Sequence, residues 1–417
     1  MKSVASLCLL LTLLPALGFA EAPGQPSAKP AAKSGAEVRA PDSAKTAAAP
    51  SRPGSPQAQI DSGAPAPPQV NAKGYVLVAH PSGQVLVESN ADERLEPASL
   101  TKIMSAYVVF HELAAGHIAL TDQVLISEKA WRTGGSRMFA DVGKQILLED
   151  LVKGMVIQSG NDASVALAEH VAGSEEGFVK LMNEHAQRLG MTNSHFANAT
   201  GLPDPEEYAT ARDLAKVATA TIREFPEYYK WYSVKEYLYN NIKQRNRNLL
   251  LWRDDSVDGV KTGHTQGAGY CLVASARRDG MRLTSVVMGA ASPEARAQAS
   301  LALLNYGFRA YEGQRIYDPH EQIQTLRVWM GDVTELPVGP AEELSVIIPR
   351  GRYDQLSGYL QKNPDLVAPI AKGDRVGDIV ISLGDRELLR EPLVALRDVA
   401  EGGLWAKIRD TILRWFS

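Results

Sequence analysis

Two hairpin patterns set far apart in the sequence constrain this chain most. The runs GYCLVASARR and MRLTSVVMGA flank Asp279-Gly280, and Asp-Gly between alternating runs favours a two-residue turn whose twist matches the strands. Much earlier, GYVLVAH and QVLVES flank Pro81-Ser82-Gly83 in the same manner, again an alternation broken by turn residues. Between the hairpins, residues 100–117, 147–171 and 175–189 carry apolar side chains at i, i+3 and i+4, the period of a helix packed on one face. Strands at both ends with helices between them predict an α+β domain over residues 71–313, its two ends sharing one antiparallel sheet. A helix over residues 293–307 closes it.

The flanks differ in texture. Residues 1–20, MKSVASLCLLLTLLPALGFA, join a basic start to an apolar run and small residues, the pattern of a cleaved export signal and too short for a membrane span. Residues 21–70 are mostly Pro, Ala, Ser, Gly and Lys. Such a stretch buries too little apolar surface to offset its ordering entropy, so it reads as a disordered spacer. Over residues 314–400, short runs such as QTLRVWM, LSVIIP and GDIVISL alternate with Gly, Pro and Asp, which predicts a small all-β domain. Residues 401–417 change again. Leu404, Trp405, Ile408, Ile412, Trp415 and Phe416 recur at near-helical spacing, with Lys407, Arg409 and Arg414 between them. A short helix of that kind suits an anionic membrane surface, and each such side chain fully buried contributes ~1.5–3 kcal/mol.

Charge and cysteine content narrow the function. A net charge of -4 gives no basic surface for nucleic acid. Cys8 lies in the leader, so the mature chain keeps Cys271 alone and has no internal disulfide, although an exported compartment permits one. Neither His-Glu-x-x-His nor paired cysteines occur, so no metal or other cofactor is expected.

Three short motifs carry the chemistry. Ser99-Leu100-Thr101-Lys102 follows Pro97, a residue that starts helices. Ser99 then lies in a first helical turn with Lys102 on the same face, which puts an amine within reach of a hydroxyl nucleophile. The free N–H groups of that turn offer an oxyanion donor. Ser159-Gly160-Asn161-Asp162 separates two helical runs, and Lys261-Thr262-Gly263-His264 precedes a strand. A glycine on an edge strand lets a substrate backbone approach closely. Ser-x-x-Lys alone arises about once by chance in a chain of this length. The three motifs in this order form a recorded catalytic signature.

At these residues the chain resembles a known family. EPASLTKIMSAYVV, QSGNDASVALAEHVAGS and VDGVKTGHT with AGYCLVASA are similar to the low-molecular-mass penicillin-binding proteins of the penicillin-binding protein 5 group (peptidase family S11). The resemblance covers residues 70–417. It implies a D-alanyl-D-alanine carboxypeptidase with a β-lactamase-like catalytic domain, attached peripherally to the periplasmic face of a bacterial inner membrane. Its substrate would be the peptidoglycan pentapeptide stem, and β-lactams would be covalent inhibitors.

The resemblance also implies roles. Ser99 attacks the peptide carbonyl and Lys102 takes its proton. Ser159 relays protons, Asn161 orients Lys102 and the substrate amide, and Lys261 provides fixed positive charge. The backbone N–H groups of Ser99 and His264 hold the oxyanion, Thr262 contacts the substrate carboxylate beside Gly263, and Arg247 and Arg296 lie near it. A lysine base has to be neutral, and burial lowers its pKa. A second ammonium at about 4 Å would disfavour its charge by ~4 kcal/mol at an effective dielectric near 20, and Lys261 is expected to supply it. No Glu-x-x-Leu-Asn pattern lies between Asn161 and Lys261, where Glu206 and Glu207 stand in PDPEEYAT. Class A β-lactamases use a dedicated Glu to hydrolyse the acyl-enzyme, so β-lactams are expected to trap this chain. The competing readings are a D,D-endopeptidase or weak β-lactamase and, in a different class, a non-catalytic cell-wall scaffold.

Overall fold

The computed structural model describes residues 57–58 and 63–414. The expected leader, most of the expected spacer, and Trp415 and Phe416 lie outside the described residues. Those described fall into two compact units that part between Gly313 and Gln314.

The first unit is built on one antiparallel sheet. Its strands are β1 (Gln57–Ala58), β2 (Gly74–Ala79), β3 (Val85–Ser89), β4 (Val257–Thr265), β5 (Gly269–Arg278) and β6 (Met281–Ala290), in the order β1-β3-β2-β6-β5-β4. Val76 stands opposite Val286 and Leu77 opposite Ser285, so the two distant hairpins do join. Asp279 and Gly280 both hold positive φ, 47° and 82°, as a two-residue hairpin turn of this hand requires. Order starts earlier than expected: β1 pairs with β3, and the Tyr306 hydroxyl donates to the Pro65 carbonyl at 2.7 Å. That part of the expected spacer gains hydrogen bonds that its composition does not announce.

The helices pack around Thr101–Ala114. Every residue from Thr101 to Phe110 is buried, because Ile103, Met104, Val108 and Val109 point to different sides and only a core helix can satisfy them all. The Glu175–Arg188 helix and the long Pro293–Ala310 helix also form. The helical stretch over residues 147–171 is interrupted at the Ser159-Gly160 motif expected to separate two helical runs. Leu148–Lys153 passes into a π turn, Gly154–Gln158, then Ser159 at φ 69°, and a new helix runs Asn161–Ala172. The π turn starts where packing is tightest: a Cβ on Gly154 would lie 2.4 Å from Met138 Sδ. Single π turns of this type recur at functional sites.

The second unit is all-β apart from its last helix and one short turn. Gln324–Arg327, Glu335–Pro340, Arg386–Ala395, Arg375–Leu383 and Leu356–Lys362 form an antiparallel sheet in that order, over a core that includes Val328, Leu336, Val338, Ile348 and Ile379. The terminal helix, Leu404–Arg414, is tied down by buried Asp410. That carboxylate accepts from the Met330 N–H at 2.7 Å and from Arg409 Nε at 2.8 Å. Leu404 and Trp405 stay 73% and 83% exposed. Among the described residues no helix is long and apolar enough to cross a membrane.

Candidate active site

Ser99 lies in a 3-10 turn, Ala98–Leu100, that feeds the buried Thr101–Ala114 helix. Ala98 holds φ 49°, a conformation costly for a residue with a Cβ and concentrated at functional sites. Two glycines brace this turn. A Cβ on Gly201 would lie 1.8 Å from the Ala98 carbonyl oxygen, and one on Gly263 3.0 Å from that of Pro97. Gly263 therefore serves close packing of β4 against the Ser99 turn. Gly263 also lines the cleft, and β4 is the sheet's outer edge, a position that can pair with an extended peptide.

Lys102 is fully buried one position into that helix. Its Nζ contacts three oxygens: Asn161 Oδ1 at 2.6 Å, the Thr200 carbonyl at 2.6 Å and Ser99 Oγ at 3.1 Å. The first two are carbonyl oxygens and can only accept. A neutral amine has two N–H groups and one lone pair, so the lone pair falls to Ser99 Oγ, the one partner able to donate. Burial lowers the Lys102 pKa to about 7, with Glu207 raising it, Arg247 lowering it and Asp162 raising it. Desolvation of the ammonium is the leading cause, not the expected charge of Lys261. Lys261 is itself pushed well below the usual lysine range, first by burial and then by Lys102, Arg247 and Arg296.

The second and third motifs meet Ser99 in a cleft of about 490 Å³, a size typical of ligand sites. Ser159, Asn161, Thr262, Gly263 and His264 all line it. Ser159 Oγ is buried with no hydrogen-bond partner among the described residues. Lys261 Nζ donates to the Thr262 carbonyl at 3.0 Å, which leaves N–H capacity over. Asn161 is committed on both sides: Oδ1 accepts from Lys102, and Nδ2 donates to the Gly134 carbonyl at 2.6 Å. His264 is exposed and stacks on Tyr270, ring centroids 4.0 Å apart.

The two arginines differ. Arg247 donates to Ser136 Oγ at 2.7 Å, and no carboxylate pairs with it among the described residues. Its guanidinium fork is available for a ligand carboxylate. Arg296 also lines the cleft but is buried, its Nη1 donating to the carbonyls of Gly263 at 2.9 Å and Cys271 at 3.3 Å. It braces β4 and β5, and burial lowers its pKa to about 10. No carboxylate lines the cleft among the described residues, so the site is suited to an anionic ligand.

Several contributors escaped the sequence reading. Asp162 is buried, and its carboxylate accepts from the N–H groups of Met138, Phe139 and Ala140 at 3.0, 2.9 and 3.1 Å, anchoring the segment that borders the cleft. Asn198 Oδ1 gathers the N–H groups of Thr200, Gly201 and Leu202, shaping the turn that offers the Thr200 carbonyl to Lys102. Glu207 is buried and bonded to Thr101 Oγ1 at 2.5 Å, and it does not line the cleft. The Asp following Ser-x-Asn was the one available signal; a backbone carbonyl has none.

Comparison with known proteins agrees with this geometry. Residues 61–292 match the family described as D-alanyl-D-alanine carboxypeptidase, and residues 311–401 match the penicillin-binding protein 5 C-terminal domain. The chain is 45% identical over 361 residues to the D-alanyl-D-alanine carboxypeptidase DacC of Escherichia coli, spanning 84% of this chain and 90% of that one. Its structure resembles penicillin-binding protein 5 from Haemophilus influenzae, with TM-score 0.75 and 42% identity over 81% of this chain and 99% of that one. It also resembles ampicillin-bound penicillin-binding protein D2 from Listeria monocytogenes, with TM-score 0.54 and 28% identity over 58% of this chain and 100% of that one. The chain belongs to the D-alanyl-D-alanine carboxypeptidase family of penicillin-binding serine peptidases.

Proposed function

We propose that this chain removes the terminal D-alanine from peptidoglycan pentapeptide stems through an acyl-enzyme on Ser99. One observation carries the assignment of roles: both N–H directions of a neutral Lys102 amine are taken by carbonyl oxygens, which turns its lone pair to Ser99 Oγ. In this reading Lys102 accepts the hydroxyl proton as Oγ bonds the carbonyl carbon between the two D-alanines. The first-turn N–H of Ser99 and the N–H of His264 face the developing oxyanion. The C–N bond then breaks, the departing amine takes a proton, and water hydrolyses the ester.

Ser159 Oγ and Lys261 Nζ both have hydrogen-bonding capacity left over, which suits a proton path to the leaving amine. Thr262 and Arg247 receive the C-terminal carboxylate, and an extended stem peptide runs along β4. The lack of a lining carboxylate among the described residues supports slow hydrolysis of a β-lactam adduct, since no acidic group stands ready to activate water. Labelling with a fluorescent penicillin tests the assignment: the wild type should be marked covalently, and Ser99→Ala should not. Equal labelling of both would remove Ser99 from its role.

The terminal helix supports a further part of the same reading, peripheral attachment at the periplasmic face of the inner membrane. Asp410 fixes one side of that helix to the β unit while Leu404, Trp405 and Ile412 remain exposed. Lys407 and Arg409 lie between them, the arrangement of a helix lying in an anionic interface.

A further inference from the structure

Glu207 has no part in the chemistry described so far, yet it is joined to Lys102 by two routes. Its backbone leads straight into two bridges, Tyr208 with His195 and Ala209 with Leu95. Along the first route, Oε1 accepts from Thr101 Oγ1 at 2.5 Å, and Thr101 immediately precedes Lys102. Along the second, Oε2 accepts from the N–H groups of Ala197 at 2.6 Å and Asn198 at 3.3 Å. The Asn198 side chain then holds Thr200 through its N–H at 3.0 Å and its hydroxyl at 2.7 Å. The Thr200 carbonyl ends the route 2.6 Å from Lys102 Nζ.

We propose that Glu207 is a positioning residue for Lys102: it fixes the carbonyl that holds the lysine amine against Ser99 and places a negative charge beside that amine. The proposal rests on the reading of Lys102 as the base. Glu207 is 4% exposed; burial raises its own pKa while its hydrogen bonds from Thr101, Ala197 and Asn198 favour the ionised form, and its charge is weakly screened. It works against the burial that frees the lysine of its proton, and is the first of the charged neighbours to do so. Without it, Lys102 would be neutral over a wider pH range but less firmly aimed. The other charged groups around the pair are Asp162, Arg247 and Lys261 near Lys102, Asp204 near Glu207, and Glu175, which accepts from the Ala199 N–H. None changes in the variants below.

The test is the second-order rate of acylation of the full chain by a fluorescent penicillin, followed from pH 5 to 9. Glu207→Gln keeps the shape and removes the charge. The acid limb of its profile should move about one unit to lower pH, the low end of what one opposite charge close by does to a pKa. Glu207→Asp keeps the charge on a shorter arm, and should leave the limb in place while lowering the plateau about tenfold, as a misplaced catalytic group does. A Glu207→Gln limb that coincides with the wild-type limb overturns the proposal. If Glu207→Gln does not fold, Thr101→Val is measured instead: a lowered plateau with an unmoved limb is expected, and a wild-type plateau overturns the proposal. A wild-type profile with no acid limb would remove the underlying assignment of Lys102 instead, a distinct outcome.

Discussion

Lys102 Nζ lies 3.1 Å from Ser99 Oγ, on a helix buried on every side. Burial in that helix leaves the lysine no water to stabilise its charge, and its pKa falls to about 7. With the neutral Lys102 amine as the proposed proton acceptor, acylation should be slow below that pH, rise as pH passes through about 7, and then level off. Lys102→Ala should lower the acylation rate by about 10²–10⁴-fold, the usual contribution of a general base. Stopped-flow acylation across pH checks both, and a profile flat from pH 5 to 9 would contradict the assignment.

Asp162 and the 138–140 backbone form a second dependence. Asp162→Ala would leave three N–H groups without the carboxylate they now share. The expected loss of stability is about 2–4 kcal/mol, since buried donors to a charged acceptor become unsatisfied. Denaturant unfolding reads the loss. An unchanged midpoint would show that the segment finds other partners.

Arg247 and Arg296 should separate functionally. Arg247→Ala removes a guanidinium that pairs with no carboxylate among the described residues, so KM for a pentapeptide should rise about 10–100-fold, the worth of a charge-assisted bond, with little change in unfolding. Arg296→Ala removes the brace on the Gly263 and Cys271 carbonyls and should lower stability as well as activity. Steady-state kinetics beside thermal melts distinguish them, and two variants with the same signature would contradict the division.

The sequence announced what is periodic or local. The period of two and Asp279-Gly280 revealed both hairpins, and Ser99, Ser159, Asn161 and Lys261 announced a site before any contact was visible. What stayed hidden depends on tertiary packing. The apolar pattern over residues 148–158 does not show the π turn at Gly154–Gln158, and the packing of Gly154 against Met138 joins residues apart in sequence. Thr200 acts through a main-chain carbonyl, which no side-chain pattern encodes. Burial and Lys261 were both expected to free Lys102 of its proton, and burial is the leading cause. Glu207 stood in plain view in PDPEEYAT and carried no motif to mark it.

The terminal helix has its own test. Trp405→Ser with Ile412→Ser should weaken co-sedimentation of the full chain with anionic phospholipid vesicles by at least about tenfold, because each side chain withdrawn from lipid forfeits ~1.5–3 kcal/mol at full burial. Cosedimentation equal to the wild type would show that residues 404–414 do not hold the membrane.

The most direct test of the account is mass spectrometry of a peptidoglycan pentapeptide incubated with the full chain and, in parallel, with Ser99→Ala. The account predicts a tetrapeptide and one free D-alanine with the wild type and intact pentapeptide with the variant. An untouched pentapeptide with the wild type, or the same tetrapeptide with Ser99→Ala, would contradict it.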